Sequence, residues 1–271
     1  MIKWLVKLTG HFMIKKTIKD PFFRLEIISA TTNPQTVVRQ AMHQDYLSES
    51  ILEEIDAGHF PPKEKVCGDL ICKYLLEGKR GHYGPFEHPQ LVIAAAYFPH
   101  SAMQQIRTHR NISMDVQSFR YTGKQIALLG EKILASNKWR DFKQDLERLF
   151  YFRPLGVYKS REGGSYNYTS AVRDNDLAEA ALAAVNYYEK IDSGCPYEHA
   201  RGSIPFDVRQ HWVMSGNARS IMHMLDMRGK RNAQAECVTY SEYLFDAFGH
   251  WMPEVAEWYK ENRWRKGILA P

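Results

Sequence analysis

The eighteen residues from Gln104 to Tyr121 cannot be packed into a core. They carry three arginines, a histidine and three glutamines against one acid, Asp115. Burying so many donors would strand amides and charges without partners, at roughly 1–3 kcal/mol for each neutral group and more for each charge. Any fold of this chain must bring the run to a surface or use it to line a polar site. By residue type three uses stay open. The commonest is a solvated basic face, and the second is nucleic-acid binding. The third is a grip on a phosphate and a planar heterocycle, because arginine presents a flat fork of donors. A net charge of +5 over 271 residues favours anionic partners without choosing among them.

The rest of the chain organises around this run. Arg24–Ala30 alternates apolar and β-branched residues and reads as a strand. Asn33-Pro34 offers an N-cap and an N1 proline for a helix bearing Val37, Val38, Ala41 and Met42. Residues 46–62 contain a short helix, and Lys63–Gly78 a longer one with Val66, Leu70, Tyr74 and Leu75 on one face. Leu91–Phe98 reads as a strand buried on both faces, and Pro99 opens the helix that leads into the polar run. Within the run, Ser118 and Arg120 point the same way if the chain is extended there. Lys132–Phe150 has a helical period, and Arg153–Ser170, rich in Gly, Tyr and Ser, reads as a long loop. Asp176–Ile191 is a helix dense in alanine. A strand follows Pro205 through Phe206, Val208, Trp212 and Met214. Helices then cover Asn217–Arg228, Ala233–Phe248 and Pro253–Arg263. With no repeat and no linker, the expectation is one α+β domain. It has a central mixed or antiparallel sheet flanked by helices and a helical C-terminal half. Residues 1–20 are expected to be a dispensable extension, 21–250 the domain, and 251–271 a C-terminal helix and tail.

Several chemistries are excluded. Cys67, Cys72, Cys195 and Cys237 form no C-x-x-C pair, which points to reduced thiols and a cytoplasmic location rather than a zinc site or disulfides. No apolar run reaches the roughly 20 residues that span a bilayer. The chain has no P-loop, no G-x-G-x-x-G after a strand and no G-x-S-x-G elbow, so a nucleotide cofactor must bind outside the standard folds. Two other constellations stand out. Ser215-Gly216-Asn217-Ala218-Arg219-Ser220 opens a helix whose N-terminal amides attract anions, with Arg219 and His223 on one face and Arg228 near the far end. In the plain structural reading Asn217 only caps this helix and Arg228 only complements its dipole. The second is Gly81-His82-Tyr83-Gly84-Pro85-Phe86-Glu87-His88. There the glycines allow close backbone approach and His82 sits on a loop, while the spacing fits no standard metal motif.

In this order and spacing these constellations resemble the flavin-dependent thymidylate synthases. That family's hallmark is Arg-His-Arg, seven residues, then Ser. Here Thr108-His109-Arg110 is followed after seven residues by Ser118, then by Arg120-Tyr121. Gly81-His82 and Phe86-Glu87-His88 precede it, and Arg201-Gly202-Ser203-Ile204-Pro205 resembles the family's Arg-to-Pro element. Asn217-Ala218-Arg219-Ser220, Arg228 and Ala233-Gln234 match its C-terminal motif. The chain departs from the pattern at Thr108 (usually Arg), Val116 (usually an acid) and Asn232 (usually His).

The resemblance implies reductive methylation of dUMP to dTMP, with methylenetetrahydrofolate as carbon donor and NADPH-reduced FAD as hydride source, and no cysteine nucleophile. It implies catalytic roles for Arg228 at the uracil edge, for His82 and for Ser118. Gly84, Thr108, His109, Arg110, Asn111, Val116, Asn217, Ala218, Arg219 and His223 would meet FAD. Gln105, Ile106, Arg107, Thr108, Val116, Gln117, Ser118, Phe119, Arg120, Arg201 and Arg228 would line the dUMP site, Arg201 at the phosphate. It further implies a homotetramer with sites shared between subunits, and no nucleic acid, membrane or metal partner. The alternative is a relative without dTMP synthesis that binds nucleic acid or oxidises NADPH.

Overall fold

The computed structural model describes residues 14–159 and 163–267. In chain order they form β1 (Arg24–Ala30), α1 (Pro34–Gln44), α2 (Ile51–Asp56), α3 (Glu64–Ile71), β2 (Gln90–Pro99), α4 (His100–Ile106), β3 (Ser113–Val116), α5 (Phe119–Thr122), α6 (Lys124–Ser136), α7 (Lys143–Leu149), β4 (Gly156–Lys159), β5 (Ser165–Tyr168), α8 (Ser170–Asp192), α9 (Tyr197–Ala200), β6 (Arg209–Asn217), α10 (Ala218–Arg228), α11 (Ala235–Trp251) and α12 (Pro253–Asn262). The main sheet is antiparallel, in the order β1-β2-β6-β3. Its inner face, with Leu91, Ile93, Ala95, Trp212 and Met214, packs on α10, α11 and α12 through Ile221, Leu225, Tyr240, Phe245 and Tyr259. The expected α+β class and helical C-terminal half are what the chain adopts. A second core joins α6, α7 and α8 through Ile126, Leu129, Leu146, Leu177, Ala181 and Tyr187. No helix among the described residues is long and apolar enough to cross a membrane.

Local sequence explains most of these elements. Pro34 starts α1, but Asn33 adopts a left-handed backbone and makes no side-chain cap. Ser50 and Glu53 form a reciprocal capping box at α2. The helix expected over Lys63–Gly78 stops being α-helical after Ile71, passing into a π-turn over Cys72–Leu76 and a 3-10 turn to Lys79. Its buried side is Cys67, Ile71, Leu75 and Leu76, whereas Val66 and Tyr74 face solvent. Gly68 decides that orientation, because a Cβ there would come within 2.7 Å of both the Gln35 side chain and the Glu254 Cβ.

β2 is buried on one face and only half-buried on the other, where Val92, Ala94 and Ala96 lie, so it is not sealed on both sides. Its register shifts between Ala96 and Phe98, and Tyr97 takes φ 68°. A tyrosine in that region costs about 1–2 kcal/mol. The Tyr97 carbonyl accepts a 2.8 Å bond from Arg209 and its ring meets His211 edge-on, which offsets part of the cost. This bulge turns the chain into α4 and hence aims the polar run. The stretch Arg153–Ser170, expected as a loop, contains the hairpin β4–β5. Residues 14–20, expected within the extension, belong to the body. Ile18 is in the core, and Asp20 makes a buried ion pair with Arg209 at 2.8 Å. Residues 1–13 lie outside the described residues.

Candidate functional site

The polar run divides at the end of α4. That helix stops at Ile106, and the next residues turn back on it: the Thr108 hydroxyl donates to the Gln105 carbonyl at 2.8 Å, and the His109 amide to the Ile106 carbonyl. Gln105, Thr108 and His109 are thereby gathered on one side. The last residue of α10, Arg228, reaches into them. Its Nε donates to His109 Nε2 at 3.0 Å, one Nη to Gln105 Oε1 at 3.3 Å and the other to Thr108 Oγ1 at 2.7 Å. Three of the five guanidinium N–H groups are used, leaving one on each terminal nitrogen for a ligand. Gln105 is itself fixed by a hydrogen bond to Gln234 at the head of α11.

Electrostatics follow from this packing. Burial, then the Arg228 charge, then His223 push His109 down from 6.5 to about 4. The ring is therefore neutral near pH 7. Its Nε2 lone pair accepts from Arg228, so the proton sits on Nδ1. The His109 and His223 rings meet edge to face, 5.8 Å apart. The sequence departure at Thr108 thus has a use in this chain: its hydroxyl accepts from Arg228, where a cation would repel it.

The other side of the run opens into a cleft of about 520 Å³. Arg107, Val116, Gln117, Ser118, Phe119 and Arg201, all named from sequence as substrate residues, line it together with His100, Glu198, Phe206 and Gln210. Three of these bear buried polar atoms without a hydrogen-bond partner in the protein: His100 Nδ1, Gln117 Oε1 and Gln210 Oε1. Such atoms cost about 1–3 kcal/mol each, and being sealed from solvent they lie behind the cleft wall and not on its open face. Ser118 is not extended with Arg120. It caps α5, accepting from the Arg120 amide at 3.4 Å, and the Arg120 side chain turns to Glu198 at 2.9 Å.

At the opposite end of α10, Asn217 caps the helix by accepting from the Ser220 amide at 2.8 Å, as its position in the sequence implies. Arg219 pairs with Glu87, which docks the 3-10 turn Gly84–Glu87 onto this helix start. Ala218 is buried beneath that contact. Gly84 is exposed and a Cβ there would meet nothing, so close protein packing does not explain the glycine. His82 lies 3.6 Å from Asp45 rather than beside Arg228. Arg110 and Asn111 are exposed at the tip of the turn, and Ile106 is buried core. Sequence reading missed His100, Glu198 and Gln210. Each meets the site only through contacts distant in sequence, and none carries a local signal. Burial pushes the Cys72 and Cys237 thiols up to about 12, so neither is a thiolate nucleophile.

An antiparallel sheet with a helical C-terminal half is a fold shared with known pyrimidine-nucleotide methylases. The UMP/dUMP methylase PolB from Streptomyces cacaoi, solved with 5-Br dUMP, superposes with a TM-score of 0.68 at 20% identity, over 92% of this chain and 97% of that one. Thymidylate synthase X from Helicobacter pylori, solved with FAD and dUMP, gives 0.65 at 19% identity, over 89% of this chain and 98% of that one. The flavin-dependent thymidylate synthase of Halobacterium salinarum is 30% identical over 264 residues, covering 92% of this chain and all of the relative. That of Haloarcula marismortui is 29% identical, covering 91% and 99%. The family described as thymidylate synthase complementing protein matches residues 26–254. The chain belongs to this family, the flavin-dependent thymidylate synthases.

Proposed function

We propose that this protein is a flavin-dependent thymidylate synthase that converts dUMP to dTMP. It takes its carbon from methylenetetrahydrofolate and its reducing equivalents from NADPH through FAD. The observation that carries the reading is Arg228 at the end of α10, held by Gln105, Thr108 and His109 with donors to spare. A fixed guanidinium there stabilises negative charge on the uracil edge as N3 loses its proton, which raises electron density at C5. Such preorganised charge is worth several kcal/mol without being a proton donor. The neutral His109 holds the guanidinium without competing for its charge. Arg107 and Arg201 on the cleft wall supply the charge for a nucleotide phosphate. Gln117, His100 and Gln210 are further polar residues of the same wall.

The residues present also fit a flavin nucleotide. Arg110 and Arg219 supply cationic charge for a diphosphate, the start of α10 adds the positive end of its dipole, and His109 and His223 present adjoining imidazole rings. Bound and reduced, the flavin supplies the hydride that completes the methyl group. Asn217 and Ala218 open α10, with Gly84 on the turn that Glu87 docks there, while Ser118 lines the cleft and Arg120 pairs with its Glu198. The outer face of the main sheet, with Val92, Ala94 and Ala96 half-covered and Val213 exposed, supports self-association as a homotetramer. We place the enzyme in the cytoplasm, which suits its free cysteines Cys67, Cys72, Cys195 and Cys237.

The test is anaerobic incubation of purified protein with dUMP, methylenetetrahydrofolate, NADPH and FAD. dTMP is expected from the wild type and almost none from Arg228→Ala. Wild-type protein that binds flavin yet makes no dTMP overturns the reading.

A further inference from the structure

Arg228 is held from in front by the polar run, but something must also hold it from behind. Asp226 lies two residues earlier on α10, about 200° around the helix axis. It therefore points into the core while Arg228 points at His109. Its carboxylate is fully buried and both of its oxygens are met. Arg263, just past α12, donates to one oxygen at 2.7 Å. The Tyr259 hydroxyl donates to the other at 2.6 Å. The same Arg263 guanidinium donates at 2.6 Å to the hydroxyl of Tyr83, which sits between His82 and Gly84. On the other side of Arg228 is Gly229. Its φ of −84° is open to any residue. A Cβ there would come within 2.7 Å of the Trp264 ring and of the Leu225 carbonyl, so the glycine is there for close approach. Trp264 is stacked in turn on Phe245 of α11, ring centroids 4.5 Å apart.

These contacts come from residues beyond the family match, which ends at 254. We propose that the C-terminal turn Arg263–Trp264 is the positioning element of the site. It clamps the last turn of α10 on both sides of Arg228 and ties it, through one guanidinium, to the loop that carries His82 and Gly84. The two residues touch neither substrate nor cofactor in this account. They act by fixing where Arg228 stands. The inference rests on the role given to Arg228 above.

The experiment uses the full-length protein with Trp264→Leu and Arg263→Lys, and reads two quantities. The first is the NMR titration of the His109 ring in protein without added ligands, which senses whether Arg228 is still against it. The second is kcat and dUMP KM. If the clamp positions Arg228, the His109 midpoint rises from about 4 by half a pH unit or more. In addition kcat falls by about tenfold or more, the scale of a small misplacement of a catalytic group. A merely structural role lowers the melting temperature and leaves both readings within twofold of wild type, and that result overturns the proposal. Should either variant fail to fold, Asp226→Asn with Arg263→Gln removes the charges together and keeps their shapes, and is read by the same criteria. The titration needs no turnover. A wild type that makes no dTMP therefore defeats the functional reading while the His109 midpoint still decides the clamp.

Discussion

Replacing Arg228 with alanine tests the electrostatics of the site in one step. The His109 midpoint lies near 4 in place of 6.5, a gap of about 2.5 pH units. Burial is the largest cause, the Arg228 charge the second and His223 the third. Arg228 is the second cause, behind burial, so removing it raises the midpoint clearly above 4 but leaves it below 6.5. That is about 1.4 kcal/mol per pH unit of relief to the protonated ring, consistent with losing one nearby cation and one donated hydrogen bond. The assay is a two-dimensional NMR titration of His109 from pH 3.5 to 8 in both proteins, with dTMP formation measured in parallel. A midpoint left near 4 would mean that Arg228 is not against His109. One at 6.5 or above would mean that burial contributes nothing. Either outcome refutes the geometry.

Other predictions follow from the same contacts. Because His109 is depressed when folded, the unfolded chain binds its proton first as pH falls. The stability this group contributes is full above pH 6.5 and is lost between 6.5 and about 4. The full gap corresponds to about 3 kcal/mol, and screening at a half-buried ring reduces that to about 1 kcal/mol. Urea melts at pH 7 and 4.5 of wild type and His109→Gln check it, the variant showing the smaller difference. Glu198→Gln frees Arg120 at the cleft mouth. A half-exposed ion pair is worth about 0.2–1 kcal/mol, so dUMP should bind up to about fivefold tighter by calorimetry, and weaker binding would assign Glu198 to the ligand instead. Gly130→Ala would bring a Cβ within 2.1 Å of the Ala184 carbonyl where α6 crosses α8. Thermal melts should show a loss of about 1–3 kcal/mol, and an unchanged melting temperature would contradict that packing.

What could be read from the sequence was what neighbours in sequence decide. β1, α8 and α10 were visible because their apolar periods, the N1 proline of α1 and the Asn217 cap are local signals. The hairpin β4–β5 was not, because Val157 and Tyr166 are exposed and neither strand presents an alternating buried face to betray it. The buried side of α3 depends on Gly68 meeting residues 33 positions before and 186 after it in sequence, which no window detects. The site shows the same division. Arg107, Gln117, Ser118, Phe119 and Arg201 could be named in advance, and the cleft brings them together. His100, Gln210 and Glu198 beside them, and Arg263 and Trp264 behind Arg228, act only through tertiary contacts. Thr108 looked like a loss from the sequence pattern, and its value as an acceptor emerged only once Arg228 was seen to reach it.

The polar run, with Arg228 against one side and the cleft on the other, is proposed to serve both a flavin and dUMP. A single-turnover experiment addresses it most directly. FAD-loaded enzyme is reduced chemically under anaerobic conditions, freed of NADPH and mixed with dUMP and methylenetetrahydrofolate. Close to one dTMP per reduced flavin is expected, with flavin reoxidation keeping pace, and neither signal in Arg228→Ala. dTMP formed while the flavin stays reduced, or flavin oxidised with no dTMP, would contradict it.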